Sequence, residues 1–265
     1  MSLLRVEGLG IDFGGLRAVN DVGFGLGPGE IVSVIGPNGA GKTTLFNMIS
    51  GLYLPARGRV TLDGEDVTGM EPHLLAARGL SRTFQNLQIF HAMTVLENVE
   101  AGHHLHEKGS VVADLLSLPS SRRRNAATRE SAYALLERVG LSRAAGHEAG
   151  SLSYGALKRL EIARALALKP RVLLLDEPAA GCNAVETEEI DRLVADVAAS
   201  GVAVLLVEHD MKMVMRISSH LVVLDHGEKI AEGEPAAVAR DPRVIEAYLG
   251  AQAGEDAGED THAHR

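Results

Sequence analysis

Nine consecutive residues, Gly36-Pro37-Asn38-Gly39-Ala40-Gly41-Lys42-Thr43-Thr44, combine glycines, an amine and two hydroxyls at a spacing suited to phosphate. They fit G-x-x-x-x-G-K-[ST], in which glycines let the backbone bend and successive amides, here Gly39 to Thr44, cradle phosphate oxygens. Lys42 is placed to reach β- and γ-phosphates and the Thr43 hydroxyl to ligate Mg²⁺. A second group lies in the run RVLLLDEP at 171–178, an apolar stretch that ends in two carboxylates. Asp176 at its tip suits Mg²⁺ held through water, and Glu177 suits orienting or deprotonating an attacking water. A third group, Leu152-Ser153-Tyr154-Gly155-Ala156, opens a helix-period stretch that runs to Ala167. Ser153 can cap that helix and leave amides aimed at an anion. A lone phosphate loop has no need of a second anion site, and an ordinary capped helix explains this segment equally well.

These groups require rigid supports. Ile31–Ile35, Val172–Leu175, Val202–Val207 and Leu221–Leu224 are short apolar runs, apolar at nearly every position, as expected of central strands covered on both faces. Leu3–Phe13 and Gly58–Leu62 read as antiparallel strands beside them, with Leu62-Asp63-Gly64 as a turn signal. Between about residues 86 and 165 the period becomes helical, at Thr94–Val99, Ser131–Val139 and Leu157–Leu168. The expected organisation is one unit over residues 3–250, with an α/β core over 3–85 and 166–250 and a helical insertion over 86–165. The polar, basic run at 120–126 reads as a connector or a helix start. Residues 251–265 have few apolar groups and are expected to form a disordered acidic tail.

Composition narrows the function. A net charge of -9 argues against a global nucleic-acid surface, and 46% hydrophobic residues allow a large core. The single Cys182 excludes an intramolecular disulfide and reads as a small apolar filler. The start lacks the pattern of a secretory signal, and the longest strongly apolar run, Val202–Val207, falls far short of a membrane span. His103, His104 and His106 have no matching acid or Cys spacing for a metal and read as part of a solvated segment.

In this order and spacing, the motifs resemble those of ABC ATPases. LSYGA resembles the family's LSGGQ signature and stands about twenty residues before the acidic strand tip, as it does there. Phe13, Gln85 in RTFQN, the loop Ala180-Gly181-Cys182-Asn183 and His209 in VEHD complete the set. At finer resolution FGGLRAV, SRTFQNLQIF, LEIARALA, VEHDMKMVM and VIEAYLG look like the ATP-binding subunits of branched-chain amino acid importers. The resemblance covers about residues 3–250. It implies a P-loop NTPase (RecA-like) core with an antiparallel β edge and an inserted helical subdomain. It also implies ATP and Mg²⁺ as cofactors, with Phe13 under the adenine and Thr43, Gln85 and Asp176 around the metal. Lys42, Glu177 and His209 would be catalytic, His209 bonding the γ-phosphate. Two ATPase subunits, alike or different, would sandwich ATP between one phosphate loop and the other subunit's signature, with 180–183 as the inter-subunit loop. Transmembrane permease subunits are the implied direct partners, at the cytoplasmic face of the plasma membrane, with an extracytoplasmic solute-binding protein acting indirectly. Ala156 stands where the family has Gln, and Cys182-Asn183 where it has Leu-Asp. An export ATPase of the lipopolysaccharide type is the nearest alternative, and a non-transport ABC ATPase is disfavoured because no long coiled coil separates loop and signature.

Overall fold

The computed structural model describes residues 2–83, 85–103 and 119–248, with side chains from residue 123 onward in the last stretch. Six strands form one sheet in the order β10-β9-β3-β8-β7-β6. They are β3 (Ile31–Ile35), β6 (Leu80–Arg82), β7 (Val172–Asp176), β8 (Ala203–Val207), β9 (His220–Asp225) and β10 (Glu228–Gly233). Pairing is parallel from β9 through β6, and β10 closes the edge antiparallel to β9. Every residue of β3, β7 and β8 is buried. Successive side chains of β7 and β8 feed two different cores: Leu173, Leu175, Val204 and Leu206 face the helical side. Val172, Leu174, Ala203 and Leu205 face α1 (Lys42–Ile49) and the second sheet. That two-sided cover is why these runs are apolar at each position.

The second sheet, in the order β2-β1-β4-β5, is antiparallel throughout. Its strands are β1 (Leu4–Phe13), β2 (Leu16–Leu26), β4 (Arg57–Leu62) and β5 (Glu65–Asp66). The expected turn falls at Asp63 and Gly64, both left-handed with φ of 52° and 81°, which suits a two-residue hairpin loop. Strand β2 escapes the sequence pattern because its register against β1 shifts three times, and each shift breaks the period of two.

Between β6 and β7 the described chain is helical: α3 (Val95–Gly102), α4 (Pro119–Arg138) and α5 (Tyr154–Ala167), preceded by the short α2 (Pro72–Ala77) before β6. Thr94 caps α3 in a reciprocal capping box with Glu97. The basic run at 120–126 is the start of α4, the helix-start alternative. These helices share one apolar core with the sheet, from Val95 and Leu136 to Leu175. After β7 come α6 (Ala184–Ala199), α7 (Met211–Ile217) and α8 (Pro235–Val238). One expectation is corrected: His103 is not solvated but 5% exposed, at the C-terminal cap of α3. Helix α5 leaves little room there, since a methyl on Gly102 would lie 2.6 Å from the Arg164 carbonyl oxygen. His104, His106 and residues 251–265 lie outside the described residues.

Candidate functional site

The phosphate loop leaves β3 at Gly36 and enters α1 at Lys42. Gly36, Gly39 and Gly41 take φ of 147°, 79° and 97°. A Cβ on Gly36 would lie 2.1 Å from the Leu224 carbonyl oxygen, and one on Gly41 2.6 Å from that of Ala18. Neither position tolerates a side chain. The N-cap of α1 is Gly41, which supplies no side-chain cap, and the first turn has no acid, so the initial amides are directed at whatever enters the loop. Lys42 Nζ donates to the carbonyls of Gly36 at 2.7 Å and Pro37 at 2.8 Å. Burial lowers the Lys42 pKa, and the charges of Glu177 and Asp176 oppose that shift.

A cavity of about 490 Å³ opens over this loop, within the range of small-molecule sites. Asn38, Gly39, Ala40, Gly41, Lys42, Thr43 and Thr44 line it, with Gln85 and Glu177 on one side and Leu16, Arg17, Ala18 and His226 on the other. Gln85 Nε2 donates to Glu177 Oε2 at 3.3 Å. Glu177 itself has a left-handed backbone, φ 49°, pinned by its amide donating to the Val207 carbonyl at 2.9 Å. His209 Nδ1 lies 3.9 Å from Glu177 Oε1. Asp176 is 3% exposed and accepts from Arg82 Nη2 at 2.8 Å. Arg82 also donates to Asn47 Oδ1 and Ser50 Oγ, so it ties the acidic strand tip to α1.

Arg82→Met is expected to leave the Asp176 carboxylate buried without its ion-pair partner and to cost roughly 3–5 kcal/mol. Urea unfolding would read this as a lower midpoint, and an unchanged midpoint would show that the pair is dispensable.

Two sites are not joined to this cavity. Phe13, at the end of β1, is 46% exposed and meets Tyr53 edge-on at 5.5 Å; across the hairpin its pairing partner Leu16, not Phe13, reaches the cavity wall. The stretch Leu152–Ala156 does not line it either. Ser153 caps α5 as expected, its Oγ accepting from the Ala156 amide at 3.3 Å. The amides beyond it are met from within the chain: Gly155 N donates to Glu186 Oε1 at 3.3 Å, and Ser153 Oγ to the same oxygen at 3.2 Å. The other oxygen of Glu186 accepts from Asn183 N, completing a capping box at the start of α6. Asn183 is therefore a helix cap as well as the end of the 180–183 loop. Gly181, φ 79°, lies under the Tyr154 ring, and Ala180 donates back to the Glu177 carbonyl at 3.2 Å. Leu152 packs on the helical core, Ala156 is buried, and burial raises the Cys182 thiol pKa, as suits a filler.

The sequence reading missed several residues of this site. Arg17 and His226 wall the cavity, but only the β1–β2 hairpin and the β9–β10 turn bring them there. Glu208 directly follows the apolar strand β8, fully buried, accepting from Ala179 N and His209 N, and burial raises its pKa. An acid directly after a wholly apolar run was the available signal.

A mostly parallel sheet, a glycine loop opening a helix and a glutamate at the tip of another strand of that sheet, all over one cavity, define a nucleotide-hydrolysing cassette. The sequence profile of the ABC transporter family matches residues 19–180, and that of the branched-chain amino acid ATP-binding cassette transporters matches 228–254. The chain belongs to the ABC transporter ATP-binding family and hydrolyses ATP. It is 46% identical to the high-affinity branched-chain amino acid transport ATP-binding protein BraF of Pseudomonas aeruginosa, over 94% of this chain and 98% of that one. It is 45% identical, with the same coverage, to LivG of Escherichia coli, a protein of the same description. The lipopolysaccharide export ATP-binding protein LptB of Haemophilus influenzae is 35% identical over 95% and 99%. Among solved structures, the ADP conformation of MJ1267, an ABC transporter cassette, superposes with a TM-score of 0.82 at 36% identity, over 94% of this chain and 99% of that one. A dimeric post-hydrolysis state of the cassette MJ0796 with ADP and Pi gives 0.72 at 26% identity, over 88% and 98%.

Proposed function

We propose that this chain powers a branched-chain amino acid importer as one of two ATPase subunits that close face to face on ATP. The observation that carries this reading is the separation of the two anion-binding helix starts. The α1 start lies in the cavity with Lys42, Gln85 and Glu177, whereas the α5 start at Ser153 does not line it. A second subunit is the source of the missing wall, as the dimeric form of the MJ0796 cassette supports. Leu152–Ala156 of one subunit would then meet the γ-phosphate held by the other, with Ala180–Asn183 between them.

Within each site, Lys42 leaves the Gly36 and Pro37 carbonyls for the β- and γ-phosphates. Mg²⁺, which would neutralise phosphate charge, fits here because it needs few protein oxygens beside those of the substrate. Thr43 and Gln85 line the cavity and Asp176 stands behind it, so these three would hold the ion. Glu177 takes a proton from the attacking water as its oxygen bonds the γ-phosphorus and the bond to ADP breaks. His209, beside Glu177, hydrogen-bonds the γ-phosphate oxygens that gain charge. Phe13 reaches the adenine by turning from Tyr53.

Contact with the membrane partner is assigned to Phe90. Leu87, Ile89 and Phe90 stand together in one short apolar stretch, but Ile89 is core and Leu87 packs against that core. Phe90 is 49% exposed, its ring 4.8 Å from the Arg164 guanidinium, at the rim of a cleft of about 770 Å³ between α3 and α4. Its backbone is clamped by buried Asn98, which accepts from Phe90 N and donates to Phe90 O, both at 3.0 Å. A short helix of a permease subunit suits this rim, and no described helix of this chain is long and apolar enough to cross a membrane. Phe90→Ser is expected to abolish uptake and co-purification of permease subunits while leaving the ATPase rate of the free chain close to the parent value. Uptake of leucine, isoleucine and valine in a deletion strain carrying each form tests both docking and cargo. Unchanged uptake of all three in the deletion strain, with a defect in lipid export, would move the chain to the export reading that its likeness to LptB represents.

A further inference from the structure

Lys158 is a buried cation to which the mechanism above gives no role. It is 2% exposed, one turn into α5, among the largest fully buried side chains of the molecule. Lysine is rarely buried to this degree, because its ammonium gives up water and needs fixed partners in return. Here Nζ donates to the backbone carbonyl of Glu177 at 3.3 Å and lies 5.7 Å from the centre of the Tyr154 ring. The peptide on either side of Glu177 is thus held from two directions: its amide by β8, through the Val207 carbonyl, and its carbonyl by the Ala180 amide of its own turn and by α5, through Lys158. A left-handed backbone at a non-glycine residue persists only where its surroundings impose it. The structure assigns Lys158 as a positioning residue that fixes the direction of the Glu177 carboxylate from the signature helix.

The consequence rests on the dimer reading above. In that dimer, Ser153 and Tyr154 at the start of α5 meet the nucleotide of one site, while Glu177 serves the other. Lys158 stands one turn from the first and bonds the second, so it links occupancy of one site to the aim of the base in its neighbour. The bond itself is made to the backbone of Glu177, so it would persist whatever side chain stood at position 177.

Lys158→Met keeps the volume of the side chain and removes its donor, so packing is nearly conserved while the bond is lost. The full chain carrying it is expected to bind ATP by calorimetric titration as the parent does and to lose kcat by roughly ten- to a hundredfold, the scale of a misaimed catalytic group. Any cooperativity in ATP concentration should fall toward a Hill coefficient of one. Lys158→Arg, which restores a cationic donor, should recover a large part of kcat. A parent-like kcat in Lys158→Met, or a loss of ATP affinity with kcat unchanged, would overturn the assignment. If Lys158→Met does not fold, a kcat of Lys158→Leu near that of the parent, with cooperativity intact, shows that no donor is needed at this position and overturns it as well. The dimer reading is checked separately, by whether Glu177→Gln with ATP elutes at twice the subunit mass. A monomer in that measurement removes the dimer, while a dimer together with unaltered Lys158→Met kinetics removes only the role of Lys158.

Discussion

Glu177→Gln is expected to bind ATP as the parent chain does and to lose turnover by roughly 10²–10⁴-fold, the usual contribution of a positioned acid–base group. Three features of the structure make this the residue to change. It lines the cavity that Lys42 lines, its carboxylate is within reach of Gln85 and His209, and its backbone is locked from both sides. Glutamine keeps the shape and can still accept from Gln85, so folding and nucleotide affinity should be preserved while the proton acceptor is lost. ATP that binds and is not consumed should hold two subunits together, visible as a doubled mass on size exclusion only when ATP is present. Parent-like hydrolysis would assign the base elsewhere, and the adjacent candidate is the buried Glu208, which does not line the cavity and whose oxygens already accept from the Ala179 and His209 amides.

Gly155→Asp should have an effect of similar size by a different route. Gly155 is buried in the first turn of α5, and a Cβ built on it would lie 2.4 Å from Glu186 Cδ. The new carboxylate would crowd a carboxylate already bonded to the Gly155 amide, at the point where the proposed dimer would bring a phosphate of the opposing subunit. Two like charges a few ångströms apart with little water between them repel by several kcal/mol. Hydrolysis is expected to vanish, while ATP binding by the free chain should persist because Gly155 does not line its cavity. Loss of ATP affinity in the free chain would mean that this helix serves its own nucleotide, and the face-to-face arrangement would have to be abandoned.

The chemistry of this protein is legible in its sequence where the groups are local. Gly36 to Thr44 supply loop, cap and cation within nine positions, and Asp176 and Glu177 follow an unbroken apolar strand, so both motifs carry their own supports. The cap at Ser153 is local for the same reason. What is not legible is every contact made at long range. Arg82 meets Asp176 across 94 residues, Glu186 meets Gly155 across 31, and Lys158 meets Glu177 across 19 through a carbonyl that no side-chain pattern encodes. Phe90 lies in sequence beside the equally apolar Leu87 and Ile89, and only the clamp from Asn98 shows why it faces outward. Strand β2 was lost to its own bulges, and with it the placement of Arg17 on the nucleotide cavity.

Glu186 sets the terms on which any phosphate can reach α5. One of its oxygens accepts from Ser153 and Gly155, and the other from Asn183, so a single carboxylate bridges the starts of two helices. An arriving phosphate therefore does not fill an open seat; it competes with a tethered anion already in place. Its binding strength at that helix is a difference between two anions, smaller than the attraction of a bare helix start would suggest. In the proposed dimer an evicted carboxylate would keep its bond to Asn183 as a foothold and return when the phosphate leaves. The interface so made in that dimer would be reversible by construction.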